Sequence, residues 1–279
     1  MTWHFTEDTA AFRAAAGRHL AAEPARNTAV LTLMDRADRL GWWAEPDGRV
    51  TGVLAVSPSG ALDLGATTEE AALALALRAG EAPVLALRAG QEPTEVRGET
   101  GTVEAYAEAS GRPWAPVVRM RLFRLGELTP PDPAPAGRHR IATEADVPLV
   151  AAWTSEFASA IGDEPAEDYT GFVTERISEG RLVLWETPGG RAVSMAAVSR
   201  TIEGQARVHL VYTPPAERGH GYAAGATEAV SRLAADALGA TQVLLFTDLS
   251  NPTSNALYQR LGYRPVTDHL GVAFNGPAR

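Results

Sequence analysis

The sequence predicts a mixed α/β protein built from two domains, and three observations predict it. The chain has 279 residues, against roughly 100 to 200 for a single domain. Along it, segments with apolar residues every three or four positions alternate with short β-branched and apolar runs, the respective marks of helices and strands. Near the middle, Thr129-Pro130-Pro131-Asp132-Pro133-Ala134-Pro135-Ala136-Gly137 places four prolines in nine residues. Such a stretch favours an extended, semi-rigid connection. We therefore expect one domain over residues 1–128, a linker at 129–137, and a second domain over 138–279.

In the first domain a helix is expected near the start, with strands about residues 41–43 and 50–56, then helix, strand, helix and strand. Thr67-Thr68-Glu69-Glu70 has the capping-box pattern that opens a helix, and the segment Leu-Ala-Leu-Arg-Ala-Gly at 75–80 ends that helix. The same six residues recur at 85–90 after Pro83, where they read as a strand. Local context, not a repeat architecture, decides between them. Residues 117–125 form the last strand of this half.

The second domain opens with a strand at 138–142. Thr143-Glu144-Ala145-Asp146 starts a helix that runs to about 160, with Val147, Val150 and Trp153 at helical spacing, and a further helix covers about 167–178. Residues 181–186 and 192–200 make a hairpin around Pro188-Gly189-Gly190. A strand at 205–212 leads through a loop into a helix at 221–238, whose stripe is Ala223, Ala226, Val230, Leu233 and Ala237. The nearly continuous apolar run 241–247 is a buried central strand. A short helix at 252–261 and strands near 264–267 and 272–274 complete the order β-α-α-β-β-β-α-β-α-β-β.

Composition removes several kinds of chemistry. There is no cysteine, so disulfides, thiolate zinc sites and thiol nucleophiles are absent. All 25 basic residues are arginine, which excludes a Schiff-base lysine and a P-loop lysine. A net charge of −9 argues against a nucleic-acid partner, whose binder is usually basic. No run approaches the roughly 18 apolar residues of a membrane span, and the acidic first residues lack the pattern of a secretory signal. The expected location is the cytoplasm, with no membrane partner. None of the six histidines has ligand-like spacing to another, so no metal is expected. Oligomeric state stays open.

The main chemical signal is Tyr212-Thr213-Pro214-Pro215-Ala216-Glu217-Arg218-Gly219-His220-Gly221-Tyr222-Ala223, between an expected strand and an expected helix. Its glycines allow backbone N–H groups to approach an anion, and the helix N-terminus adds a positive dipole end. The two prolines contribute no N–H, so the donors start near Arg218, which also supplies a fixed positive charge. A pyrophosphate suits such a loop, although a loop that merely turns would read similarly. The spacing is neither Gly-x-Gly-x-x-Gly nor that of a P-loop.

With a second segment added, the chain resembles the GCN5-related N-acetyltransferase (GNAT) family. Arg218-Gly219-His220-Gly221-Tyr222-Ala223 is similar to that family's Arg/Gln-x-x-Gly-x-Gly/Ala coenzyme A loop. Asn251-Pro252-Thr253-Ser254-Asn255-Ala256-Leu257-Tyr258-Gln259-Arg260-Leu261-Gly262-Tyr263 is similar to its Asn…Leu-Tyr-x-x-x-Gly-Phe/Tyr segment. The likeness is specific over about 200–266, looser over 138–199, and nearest to a two-domain bacterial subgroup. It implies tandem GNAT-like domains with the catalytic one C-terminal. Acetyl-CoA would enter a V-shaped opening between strands 205–212 and 241–247. Backbone at Val211, Tyr212 and Thr213 would pair with the pantetheine arm, and Arg218, Gly219, His220, Gly221, Tyr222 and Ala223 would wrap the pyrophosphate. Asn251 would lie near the acetyl-CoA, and the amine would attack the thioester directly.

Tyr258 has two readings, a packed aromatic or, by the resemblance, the acid that protonates the departing thiolate. Physically, Asn251 is an expected N-cap, Pro252 an N1 residue and Gly262 a C′ glycine, with Leu257 and Leu261 as a core pair. Many relatives carry a glutamate nine residues before the loop arginine. Here His209 stands there, a candidate base whose strand alternation puts Arg207 and Val211 on its face and Val208, Leu210 and Tyr212 opposite. A strand histidine is also commonly structural; Glu156 and Glu164 are the substitutes.

In the first domain the matching loop, Leu64-Gly65-Ala66-Thr67-Thr68-Glu69, has one glycine, no arginine and carboxylates at Glu69 and Glu70, so no CoA is expected there. It reads as a degenerate partner, with Trp42, Trp43 and Trp114 as core residues or as walls of an acceptor pocket. The expected function is acetylation of a small-molecule primary amine. The alternatives are a peptide or protein N-terminus as acceptor, or a non-catalytic acyl-CoA sensor.

Overall fold

The computed structural model describes residues 1–78, 92–162 and 166–274. The second copy of the six-residue segment, at 85–90, and Glu164 lie outside these residues. The chain is mixed α/β, as the sequence predicts, and divides into two compact units that are not continuous in sequence. The first comprises Met1–Leu122, Thr247–Ser250 and Pro265–Arg279; the second comprises Phe123–Phe246 and Asn251–Arg264.

In the first unit, β1 (Thr2–Thr6), β2 (Arg39–Ala44), β3 (Val50–Val56) and β4 (Ala61–Leu64) form an antiparallel meander. β4 then pairs in parallel with β5 (Glu95–Glu99). β5 in turn pairs antiparallel with the C-terminal strand β12 (Tyr263–Phe274), from His269↔Glu99 to Ala273↔Glu95. Strands β1 and β4 and the short helix α2 (Thr28–Leu33) are additions to the expected elements. The two strands expected near 264–267 and 272–274 are one: His269, Leu270 and Gly271 stay in the ladder opposite Glu99, Gly98 and Arg97, so no turn forms.

Helices α1 (Thr9–Ala22) and α2 bury Phe12, Ala16, Leu20, Val30 and Leu31. A separate core joins Leu54, Leu62 and Val96 to α3 (Glu69–Arg78), α4 (Thr100–Ala109) and to Leu270, Val272 and Phe274 of β12. The expected cap of α3 is one residue later than Thr67: Thr68 Oγ1 accepts from Ala71 N–H at 3.3 Å. Thr67 instead crosses to Val53, taking its N–H and donating to its carbonyl, both at 3.0 Å. The preceding N–H, of Ala66, donates at 2.8 Å to Oδ1 of the fully buried Asn27. This loop is therefore filled by the unit's own side chains, with Glu69 and Glu70 in the first helical turn behind it. Trp43 is a core residue and Trp114 packs against the same core, whereas Trp42 stacks on His4 and meets Phe12 at a tilt.

β6 (Trp114–Leu125) passes from one unit's residues into the other's. In the second unit, β7 (Arg138–Ile141), β8 (Leu182–Glu186), β9 (Ala192–Val198) and β10 (Gln205–Tyr212) are antiparallel neighbours, and β11 (Gln242–Asp248) is parallel to β10. Helix α7 (Tyr222–Asp236) and α8 (Pro252–Arg260) cover one face through Ala226, Val230, Ala234, Tyr258 and Leu261. Helices α5 (Val147–Ala160) and α6 (Thr170–Ser178) cover the other through Val150, Trp153, Val173 and Ile177.

The buried face of α7 is rotated from the expected stripe. Ala226 and Val230 are inside, but so are Gly225, Thr227, Ser231 and Ala234, while Ala237 is exposed. Bulk on neighbouring elements explains this. A Cβ on Gly225 would stand 2.6 Å from the Trp185 ring, and Ser231 Oγ lies 2.7 Å from the Tyr263 hydroxyl. The last part of the proline-rich stretch is anchored within this unit. Trp185 Nε1 donates to Ala136 O at 3.0 Å, and Gly137, with φ +108°, lies so close to Glu186 that a Cβ would meet its carbonyl oxygen at 1.8 Å.

Candidate active site

Between β10 and α7 the chain makes a short 3-10 turn at Pro215–Glu217 and then two left-handed glycines, Gly219 (φ +84°) and Gly221 (φ +79°). Non-glycine residues avoid this conformation because Cβ crowds the following carbonyl oxygen. The two glycines let the backbone double back at the start of α7, for which Gly221 is the N-cap. The Arg218 N–H returns to Pro215 O at 3.4 Å. The next N–H groups, of Gly219, His220, Gly221, Tyr222 and Ala223, have no protein acceptor among the described residues. A run of open donors at a helix N-terminus could seat an anion.

The side chains around the loop set its charge. Arg218 is exposed, and its Nε donates to Thr213 O at 3.1 Å. Glu217 would oppose an anion, but Arg191, beyond the β8–β9 turn, grips its two oxygens at 2.5 and 3.2 Å and holds its carboxyl below the usual range. The His220 ring stacks on Tyr222, centroids 5.4 Å apart, and faces Glu217 O at 3.2 Å. Its ring is thus engaged locally, while its N–H stays with the open donors. Ala223 is in the first turn of α7, and Tyr222 is buried in the α7 core. At the base of the loop the fully buried Ser194 donates to Tyr212 O at 2.9 Å and lies 2.9 Å from Thr213 Oγ1. Arg191 and Ser194 escaped the sequence reading because they sit about 20 residues upstream, on a hairpin whose register carries no local mark.

β10 does not alternate simply. Its register with β9 runs Val208↔Val198 and His209↔Ala197, then jumps to Tyr212↔Met195, and Leu210 takes φ +52°. One extra residue is accommodated in β10, a bulge that reverses the sides taken by later residues. Ala206, Val208 and Val211 face the α7 core, whereas Leu210 and Tyr212 face the α5–α6 core. The expected grouping of Val208 with Leu210 and Tyr212, and of Val211 with His209, is thereby corrected. Beside the bulge the β10–β11 ladder also ends: the parallel pairs among the described residues stop at Val208↔Leu245, although both strands run on. The backbone of Val211, Tyr212 and Thr213 follows directly.

His209 is half-buried on the α5–α6 side, 6.4 Å from the Phe172 ring. Desolvation, then the guanidinium groups of Arg176, Arg207 and Arg181, push its imidazole well below the usual histidine range. It is neutral at pH 7 and able to accept a proton, but weakly. Tyr258 belongs to the opposite core, edge-on to Tyr263 at 6.1 Å. Burial raises its phenol to about 12, so it keeps its proton at neutral pH. Among the described residues, the two candidate proton-handling groups are therefore not in one hydrogen-bonded cluster. Asn251 caps α8 as expected, its Oδ1 accepting from Ser254 N–H at 3.0 Å, which leaves that oxygen committed to the helix. Gly262 takes φ +101° and closes the helix as the C′ residue. Glu156, on α5, accepts the Tyr212 hydroxyl at 2.6 Å. Among the described residues, no group of three or more metal-binding side chains gathers, and no helix is long and apolar enough to cross a membrane.

Residues 147–263 match the model of the acetyltransferase (GNAT) family. Over these residues, which are less than half of the chain, it is similar to GNAT acetyltransferases. A mycothiol acetyltransferase from Salinispora tropica is 28% identical over 132 residues, which are 45% of this chain and 39% of that protein's length. The match thus spans well under half of that relative. A GCN5-related N-acetyltransferase from Kribbella flavida shares the fold with a TM-score of 0.63 at 21% identity, over 92% of this chain and 96% of its own. A tandem GNAT protein from the clavulanic acid biosynthesis pathway superposes with a TM-score of 0.60 at 15% identity, over 100% of both chains. The fold of this chain is therefore that of GNAT proteins, a tandem one included.

Proposed function

We propose that the chain is an acetyl-CoA-dependent N-acetyltransferase whose acceptor is a primary amine of a small molecule. The observation that carries this reading is the 218–223 loop. Two left-handed glycines, five open N–H donors and one arginine meet at the N-terminus of α7, and the pyrophosphate of acetyl-CoA fits that donor set. The end of the β10–β11 ladder at Val208↔Leu245 supports the neighbouring backbone, Val211 to Thr213, as the partner of the pantetheine arm. The Arg191–Glu217 pair offsets the carboxylate charge that would repel a phosphate. Asn251 stands near the acetyl-CoA as a helix cap that shapes the entrance.

In the reaction, the neutral amine attacks the thioester carbonyl and the carbon–sulfur bond breaks. Tyr258 donates its phenolic hydrogen bond to the departing thiolate, and His209 takes the amine proton. No covalent acyl-enzyme is needed. The first domain, 1–128, is a degenerate GNAT-like partner whose 64–69 loop is occupied by Asn27 and Thr67, and 129–137 links it to the catalytic domain. A small acceptor is favoured over a peptide because the curated relative is named for a single compound, mycothiol. We assign a cytoplasmic location and no nucleic-acid, membrane or metal partner. The test is thiol release from acetyl-CoA over a panel of amines and peptides, with acetyl-CoA binding followed by calorimetry. Turnover on small amines sustains the proposal, turnover on peptides alone shifts the acceptor, and binding without turnover on any acceptor turns the reading into that of a sensor.

A further inference from the structure

The α5–α6 side of β10 carries a polar feature that the anion loop does not use. Glu156 is exposed on α5, and its Oε2 receives the Tyr212 hydroxyl at 2.6 Å. Tyr212 itself is buried, wedged against Trp153 and Phe157 with ring centroids 6.3 and 6.4 Å away. A short bond from a buried, packed phenol fixes the position of a carboxylate that would otherwise swing freely. Desolvation and the Glu156 bond keep that phenol protonated, at about 12, so the donor is never lost at working pH.

Half-exposed aromatic rings lie on the same core. Phe157, Tyr169 and Phe172 pack against it without being fully buried, and Tyr169 meets Phe172 edge-on at 6.2 Å. Charge divides this face into two parts. Around His209 the guanidinium groups of Arg176, Arg207 and Arg181 oppose a second cation, strongly enough to depress the imidazole. Glu156 instead offers a carboxylate, exposed and held by the Tyr212 hydroxyl. An ammonium ion approaching this face is repelled from the first part, where the Arg176 guanidinium already covers the Phe172 ring at 3.4 Å, and is paired by the second, where Phe157 and Tyr169 offer its substituent an apolar wall.

We propose that Glu156, held in place by Tyr212, docks the ammonium group of the acceptor, which gives one proton to solvent before it attacks as the neutral amine, and that Phe157 and Tyr169 receive an aromatic or apolar body, so that the acceptor is an arylalkylamine-type cationic amine. This rests on the acetyltransferase reading above and adds to it the acceptor's class and its point of attachment. Glu156 is then a specificity residue of the acceptor side, separate from the 218–223 loop.

The probe is phenethylamine, with acetyl-CoA consumption and N-acetylphenethylamine formation measured on the full chain. Glu156→Gln raises the KM for phenethylamine by about tenfold or more, as expected for a lost charge-assisted contact, and leaves the KM for acetyl-CoA in place. Glu156→Asp recovers part of the loss, and Tyr212→Phe gives a smaller rise in the same direction, because the carboxylate remains but is no longer held. An unchanged phenethylamine KM in Glu156→Gln overturns the proposal. So does a wild-type chain that binds acetyl-CoA but neither binds nor acetylates phenethylamine. Failure of the wild-type chain to bind acetyl-CoA by calorimetry overturns the transferase reading itself, and this proposal with it.

Discussion

Replacing Tyr258 with Phe removes one oxygen and leaves the ring that packs in the α7–α8 core. The Tyr258 hydroxyl has no protein hydrogen-bond partner among the described residues, so none of the roughly 0.5–1.5 kcal/mol of a typical hydrogen bond is lost on substitution. Thermal stability should therefore hardly move. Turnover should. Burial places the phenol at about 12, and an ordinary thiol lies near 8.5. Complete proton transfer to the thiolate is thus uphill by roughly 3–4 pKa units, or about 5 kcal/mol. The phenol works as a strong hydrogen-bond donor to developing charge, which puts its contribution at the lower end of the range for general acids, about 100-fold in kcat. The assay is steady-state thiol release at saturating acetyl-CoA, with acetyl-CoA affinity from calorimetry and melting by circular dichroism. The expected result for Tyr258→Phe is kcat down by about two orders of magnitude, with affinity and melting temperature preserved. An unchanged kcat would refute the reasoning and leave Tyr258 as a packed aromatic.

Three further outcomes follow from the site. Gly219→Ala places a Cβ where nothing lies within 4 Å, so its fold cost is only the left-handed strain, about 1–2 kcal/mol. Acetyl-CoA affinity should nonetheless fall about tenfold, or 1.4 kcal/mol, because a residue with a Cβ disfavours the left-handed backbone that orients the open N–H donors; calorimetry showing equal affinity would remove the loop as the pyrophosphate seat. If His209 is the base, the acid limb of kcat/KM lies well below the ordinary histidine range, since desolvation and three arginines favour its neutral form; His209→Ala should abolish that limb, and a persisting one assigns the base elsewhere. Asp146 is held at about 2 by Arg140, then by the Thr143 cap. Its folded value is depressed, so its stabilisation is present above about 4 and is lost as pH falls toward 2, worth about 1 kcal/mol once solvent screening is allowed for. Chemical denaturation of Asp146→Asn should show a shallower acid dependence than wild type over that window, and identical slopes would contradict this assignment.

Most helices of the second unit, its glycine loop and its caps are legible because their signals are local. Asn251, Pro252 and Gly262 mark the ends of α8, Thr143 and Asp146 open the helical run into α5, and the positions of Gly219 and Gly221 require left-handed backbone. Elements without such marks were missed. β4 reads Ala-Leu-Asp-Leu and is buried throughout, Asp63 included, so it shows no alternation. α2 is six residues long, too short to display a stripe. The face of α7 was misjudged because alanine is silent about burial, and the choice belonged to Trp185 and Tyr263.

What the sequence by itself determined is the chemistry available: no thiol, no primary-amine side chain, and an arginine-glycine loop followed 33 residues later by an asparagine-capped helix bearing Tyr258. These depend on residue type and short-range spacing, which the chain carries with it. Tertiary structure alone decided which of these groups share a face. The bulge at Leu210 turns Tyr212 toward Glu156 and Val211 toward α7, and β5 accepts the chain's last strand as its partner. Both outcomes depend on pairing with residues distant in sequence, where a one-residue slip exchanges the two faces of a strand, and no local pattern records which register the partner will impose.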